Sequence, residues 1–255
     1  MCFVGTLQAQ SKFRIGLQGT GGLSWMQPDT KGIENDGARL NYDFGLMFDL
    51  PMGGSENYYF STGVNIATLQ GKLQYPDLIY PTTSDSSIFL PGSSTSKYNL
   101  NYVEIPLQVK MRTNEVGYMH YFGVFGVTTG INTRARMELE QNANGTAYSP
   151  DDELDVADDI RLFKLGLNVG LGVEYNFTGN TFAVAMLSYN NGFTNIFNAD
   201  YYELNPDNTS EVALNEDVLI ESTVNPGTFI PYTPKSGPTW KATANNIRLT
   251  VGIFF

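Results

Sequence analysis

Ten ionisable side chains fall at alternating positions within glycine- and aromatic-rich segments: Arg14, Arg39, Lys110, Arg112, Lys164 and Arg248, against Asp43, Asp49, Glu104 and Glu174. Turned into one enclosed space, they must pair or meet water, because an isolated buried charge costs several kcal/mol. A structural network of ion pairs satisfies that requirement, and so does a gated proton or ion path. A second group is wholly acidic. Asp151-Asp152-Glu153-Leu154-Asp155, with Asp158 and Asp159, offers the clustered carboxylates that Ca²⁺ favours. The run lacks the ligand spacing and glycine of an EF-hand, so a solvated acidic loop is the simpler reading. With one histidine (His120) and one cysteine (Cys2), multi-histidine zinc centres, cysteine-built metal sites and internal disulfides are excluded. No metal, cofactor or catalytic set is expected.

The elements that position these groups are read from a period of two. Phe163, Leu165, Leu167, Val169, Leu171, Val173, Tyr175 and Phe177 form one face of a segment; Lys164, Gly166, Asn168, Gly170, Gly172, Glu174 and Asn176 form the other. Alternation sustained this long is a strand signal without a helical competitor. The same pattern recurs, and it predicts eight strands at 13–26, 37–50, 58–71, 99–112, 118–137, 160–177, 181–193 and 243–255. Mid-strand Pro106 cannot donate a ladder hydrogen bond, which predicts a bulge or bend there. Tight turns follow strands two, four and six, at Pro51–Gly54, Thr113–Gly117 and Thr178–Asn180. Long connections follow the others, near 26–36, 72–98, 138–159 and 194–242. That rhythm predicts an all-β protein: an eight-stranded antiparallel up-and-down transmembrane β-barrel with long extracellular loops.

Residue size assigns the faces. One face carries Leu, Phe, Tyr, Ile and Val, while the other is full of Gly, Asn, Ser and Thr. An eight-stranded lumen is only just wide enough for its side chains. The small and charged face therefore turns inward and the apolar face meets lipid. Aromatics near predicted strand ends (Trp25, Tyr58, Tyr98, Tyr118, Tyr175, Phe177, Tyr189, Trp240) suit interfacial girdles.

Charge is concentrated in two connections. Residues 138–159 and 194–242 hold fifteen acids against Lys235 and Lys241, a balance of −13 in a chain whose net charge is −11. The barrel itself is near neutral. A pI near 4.5 argues against nucleic acid as a partner. Within 194–242, Val218-Leu219-Ile220 and Phe229-Ile230-Pro231-Tyr232 flank an Asn-Pro-Gly turn signal. They suggest a hairpin off the barrel that acts as a lid or partner-binding arm, or else two more crossings. Residues 1–10 read as the remnant of a secretory signal peptide, with the barrel over 11–255.

The chain ends Ile247-Arg248-Leu249-Thr250-Val251-Gly252-Ile253-Phe254-Phe255. This resembles the carboxy-terminal signal of Gram-negative barrels, with Leu249, Val251, Ile253 and Phe255 as its alternating apolar positions. Tyr102-Val103-Glu104-Ile105-Pro106-Leu107-Gln108-Val109-Lys110 resembles a strand of the PorT-like porin family of Bacteroidota, and Tyr121–Gly126 resembles the glycine-containing strand that follows it. The resemblance implies bacterial outer-membrane localisation, with the loops extracellular and the termini periplasmic. It implies contact with membrane lipid and lipopolysaccharide, folding by the barrel-assembly machinery, and possible membership of an envelope protein complex; some relatives belong to the type IX secretion machinery. The function expected is a non-enzymatic scaffold or accessory subunit that binds through its acidic loops. A narrow solute channel is the first alternative. A lipid-modifying or proteolytic enzyme, with His120 as its base, is the second. At the turn-side rim, His120 is read as an ordinary interfacial residue.

Overall fold

The computed structural model describes residues 13–29, 33–53, 57–81, 89–143, 146–148, 153–179, 181–198, 219–221, 229–231 and 241–255, with backbone alone at 75–81, 89–92, 141–143, 146–148, 219–221 and 229–231. Eight long strands form the body: β1 (Arg14–Pro28), β2 (Arg39–Pro51), β3 (Tyr58–Pro81), β4 (Phe89–Arg112), β5 (Met119–Ala143), β6 (Phe163–Thr178), β7 (Thr181–Gly192) and β8 (Ala242–Phe254). Each pairs antiparallel with its neighbours in sequence, and β8 pairs with β1, so the sheet closes into an up-and-down barrel. The tight turns after β2, β4 and β6 each carry a glycine at positive φ: Gly53 at 64°, Gly117 at 70° and Gly179 at 49°. A Cβ disfavours that left-handed conformation, which is why glycine stands at each turn.

Outward side chains form an apolar belt that includes Phe13, Ile15, Leu17, Tyr42, Phe44, Val169, Leu171 and Leu187, all exposed. On β3, β4 and β5 the belt ends at one registered row, Ile66–Val103–Ile131, and turns polar two residues on at Thr68–Asn101–Arg134. Tyr58 to Ile66 matches the roughly 9–11 residues that cross a hydrocarbon layer. Leu249, Val251 and Phe255 lie in this belt, and the Phe255 amide donates to Ile15 O at 2.9 Å. Trp25 and Tyr189 stack at one end of it; Tyr118, Tyr175 and Phe177 cluster at the other.

Four expectations need correction. The connection expected at 72–98 is largely strand and the first part of that at 138–159 is strand too, since pairing continues to Pro81↔Phe89 between β3 and β4 and to Gly92↔Ala143 between β4 and β5. A three-stranded sheet thus rises past the belt. Its Ser/Thr-rich sequence loses alternation because neither face meets lipid. Pro106 makes no bulge: the β3 ladder skips Gly63–Val64 opposite Ile105–Pro106 and resumes in the same register. The shift lies instead where Asn101 pairs Arg134 but Tyr102 pairs Asn132. The lumen is not confined to small and charged residues, because Met47, Phe122, Val124, Phe182, Val184 and Phe254 pack together inside it near the tight turns. Finally, Tyr98 joins no girdle; it is buried at the long-connection end, edge-on to Phe197 at 5.3 Å.

That end is filled by a second apolar cluster. Met26, Leu69, Leu73, Leu100, Tyr102, Ala135 and Met137 from the strands meet Ile33, Val156, Ile160, Ile196 and Phe197 from the connections. The connections are tied across the mouth by Arg161 N donating to Ile196 O at 2.7 Å, Ile196 N to Ala242 O at 2.9 Å and Asn198 N to Asp159 O at 2.7 Å. The hairpin expected within 218–232 is present as Leu219–Glu221 paired with Phe229–Pro231, in a sheet separate from the barrel. Because β7 pairs β8 directly, it adds no crossing. Val218, Tyr232 and Trp240 lie outside the described residues, as do residues 1–12.

Candidate functional site

The inward charges gather into two clusters at different heights in the lumen. Near the tight turns, Arg14 opens β1 directly across from Asp49 on β2. Arg14 Nη2 donates to Asp49 Oδ2 and to Glu174 Oε1, each at 2.7 Å, and Nη1 reaches Glu174 Oε2 at 3.0 Å. Lys110 Nζ donates to Asp49 Oδ2 at 2.7 Å and also to Glu174. Arg112 Nη1 reaches Glu174 Oε2 at 3.1 Å, while its Nη2 reaches the Tyr59 hydroxyl at 3.1 Å. Ser61 Oγ completes the shell of Asp49 at 2.7 Å. Both carboxylates are fully buried. Rings enclose the cations: Arg14 lies 4.4 Å from the Phe254 centroid and Lys110 4.4 Å from that of Phe122, with Tyr59 and Phe182 alongside Arg14. Cation–π contact stabilises a desolvated cation, which explains the aromatic residues inside this end of the barrel.

The second cluster is balanced. Arg248 Nη1 bridges Glu104 Oε2 at 2.8 Å and Asp43 Oδ2 at 3.2 Å, and its Nε donates to Asn246 Oδ1 at 2.8 Å. Lys164 also donates to Glu104 and lies 4.3 Å from the Tyr102 centroid. Lys164 on β6 and Glu104 on β4 both register with Gly130 on the intervening β5. The glycine leaves the lane through which Lys164 crosses, since a Cβ at 130 would stand 2.7 Å from Lys164 Cε. Gly130→Val is therefore expected to displace the lysine and cost about 1–3 kcal/mol, read as a lower urea midpoint of the refolded barrel.

Nine of the ten inward charges thus join the two clusters. Arg39 does not: it is half-buried, opposite Ser24, and among the described residues no ion pair reaches it. His120 is not interfacial either. It points inward and is buried, because it keeps the parity of Phe122 and Val124 on β5. Its Nδ1 lies 3.0 Å from Thr113 O, its Nε2 3.5 Å from Glu115 Oε2, and its ring 6.0 Å from that of Phe182. It helps to close the tight-turn mouth.

Between the clusters lies a cavity of about 70 Å³ bordered by Asp43, Glu104, Lys110 and Arg248 with Gln108 and Asn168. That is space for a few waters. Of the acidic connection, Asp151 and Asp152 lie outside the described residues; Asp159 is held above the usual carboxylate range by burial and the nearby Asp158. Among the described residues no group of three or more potential ligands could hold a metal ion.

Residues 8–198 match the family model for an outer membrane protein beta-barrel domain. Among solved structures, Neisserial surface protein A is similar at 10% identity, covering 95% of each chain with a TM-score of 0.38. The attachment invasion locus protein Ail of Yersinia pestis is similar at 13% identity, covering 95% of this chain and 97% of its own, with a TM-score of 0.31. The outer membrane protease OmpT of Escherichia coli is similar at 8% identity, covering 95% of each chain, with a TM-score of 0.34. No curated protein matches the sequence.

Proposed function

The chain belongs to the outer membrane protein beta-barrel domain family of the bacterial outer membrane, and on that premise we propose that it is a non-conducting, non-enzymatic scaffold that presents its long-connection end to a partner or ligand outside the cell. In this reading the tight turns and both termini are periplasmic. The observation that carries it is a lumen stoppered at both ends while the sheet continues past the belt. An apolar cluster fills one mouth, and a knot of three cations and two carboxylates wrapped in rings fills the other. Material inside serves rigidity, and what projects is surface. Each of the four lumen carboxylates accepts a hydrogen bond from at least one lumen cation. The likeness of Tyr102–Lys110 to the PorT-like strand supports the narrower proposal of a Bacteroidota envelope subunit.

Mild-detergent extraction followed by affinity capture tests the scaffold reading. A stoichiometric envelope partner, lost on deletion of 198–238, is expected; a barrel that elutes alone with and without that segment would sink it. The central cavity favours one second reading, a narrow channel gated by movement of the apolar stopper. Planar-bilayer recording separates the two. The wild-type barrel is expected to give no unitary current steps, and reproducible steps would favour the channel.

A further inference from the structure

The charges inside the barrel do not sum to zero. The knot near the tight turns holds Arg14, Lys110 and Arg112 against Asp49 and Glu174, and the second cluster sets Arg248 and Lys164 against Glu104 and Asp43. That is five cations against four carboxylates, one positive charge in excess. None of the nine side chains is more than 12% exposed, so bulk water does not neutralise the excess. Arg39 and His120, the other inward groups, bring no negative charge. Glu115 does, but it is exposed on the tight turn. An uncompensated charge held away from water is costly.

Unused donors border the cavity that separates the two clusters. Lys110 Nζ has three N–H groups and two acceptors, Asp49 and Glu174. Arg248 commits Nε to Asn246 and Nη1 to Asp43 and Glu104; among the described residues its Nη2 has no acceptor. Both cations line the cavity. So do Gln108, Thr128, Asn168 and Ser188, each more than nine-tenths buried and, among the described residues, with no side-chain hydrogen bond. Strand register sets these groups side by side. Lys110, Val124, Gly170, Ser188 and Arg248 form one row across β4 to β8, with a cation at each end. On the adjacent inward row, Gln108 and Asn168 flank Gly126. A Cβ at 126 would stand 2.5 Å from Gln108 Cα, and one at 170 would stand 2.9 Å from Val124 Cγ2. The two glycines hollow the wall between the donors. The resulting space of about 70 Å³ exceeds what a single water needs. Waters satisfy amides and hydroxyls, but they do not balance charge.

We propose that this cavity is a binding site for one halide-sized inorganic anion, chloride in chemical class, held between Lys110 and Arg248 with Gln108, Asn168 and Ser188 as neutral donors. Asp43 and Glu104 also border the cavity, which favours a small monovalent ion over a sulfate or phosphate whose charge would face them. The test refolds the full chain in detergent in mixtures of sodium chloride or bromide with sodium gluconate at one total ionic strength. The urea midpoint of the wild type should rise as halide replaces gluconate, because an ion bound only by the folded barrel stabilises it by mass action. Gln108→Leu with Asn168→Leu removes two donors without changing charge and should weaken halide affinity about tenfold or more. Lys110→Met brings the knot to two cations against two carboxylates and should abolish the halide response. Wild-type crystals grown in bromide should show an anomalous peak between Lys110 and Arg248, a readout that needs no variant to fold. Absence of that peak would overturn the proposal whatever the variants do. An equal halide response in wild type and Lys110→Met would assign the effect to salt at the surface and overturn it as well.

Discussion

Glu174→Gln is expected to remove about 3–5 kcal/mol of barrel stability, the usual cost of stripping one partner from a buried charge cluster. Glu174 accepts from Arg14 through both of its oxygens, and from Lys110 and Arg112. Its loss leaves three cations around Asp49 alone, in a lumen lined there by rings. Glutamine fills the same volume, so the deficit reports charge and not packing. Arg112→Met removes a cation from the side in excess and should cost less than Glu174→Gln. Urea unfolding of detergent-refolded barrels checks both variants. A loss under about 1 kcal/mol, the scale of exposed pairs, would mean that water reaches the knot and that this mouth is open.

Val169→Arg should cost about 2–4 kcal/mol, the depth-dependent cost of a cation against hydrocarbon. Val169 is outward and exposed on β6, amid Leu171 and the outward Phe125 with which it registers. Its neighbour Asn168 is buried in the lumen and borders the central cavity, where Lys110 and Arg248 already stand. Asn168→Arg is therefore opposed by cation repulsion and volume, and its penalty should weaken as salt rises. The Val169→Arg penalty should persist at high salt, because lipid contains no counter-ions. Identical losses with identical salt response would mean that the two faces are misassigned.

The alternation that exposes the eight strands also explains what escapes it. β6 was legible throughout because one face is uniformly apolar and the other uniformly small or charged, from Phe163 to Phe177. β5 was blurred, since the extra residue at Thr133 reverses parity partway along and no single period fits both halves. The rise of β3 and β4 beyond the belt has the sequence of a loop. A strand with no lipid face loses the apolar half of its signature, and Ser93-Ser94-Thr95-Ser96 looks like a linker. The inward charges were visible as a set because each interrupts an apolar rhythm. Their division into two clusters was not visible, because it depends on which residues share a height, and strand register fixes that. Phe122, Phe182 and Phe254 carry no sequence signal of their place, since their hydrophobicity suits lipid as well as lumen and their partners are the cations themselves.

The seam between β1 and β8 has a kinetic consequence. Every other seam joins strands consecutive in the chain and can zip as a hairpin, but this one brings Leu17 against Ile253 and Gly22 against Arg248. Loop-closure entropy for so distant a pairing must be met before any of its contacts are gained. Assembly therefore runs as local hairpins first and cylinder last, with β1 and β8 exposed as two raw edges until the final step. Those edges are the interval of greatest aggregation hazard. Arg248 reaches Asp43 and Glu104 only once this seam is drawn shut. The upper ion cluster is thus a latch that locks after the last zipper closes, and its strength should appear in the rate at which the finished barrel comes apart.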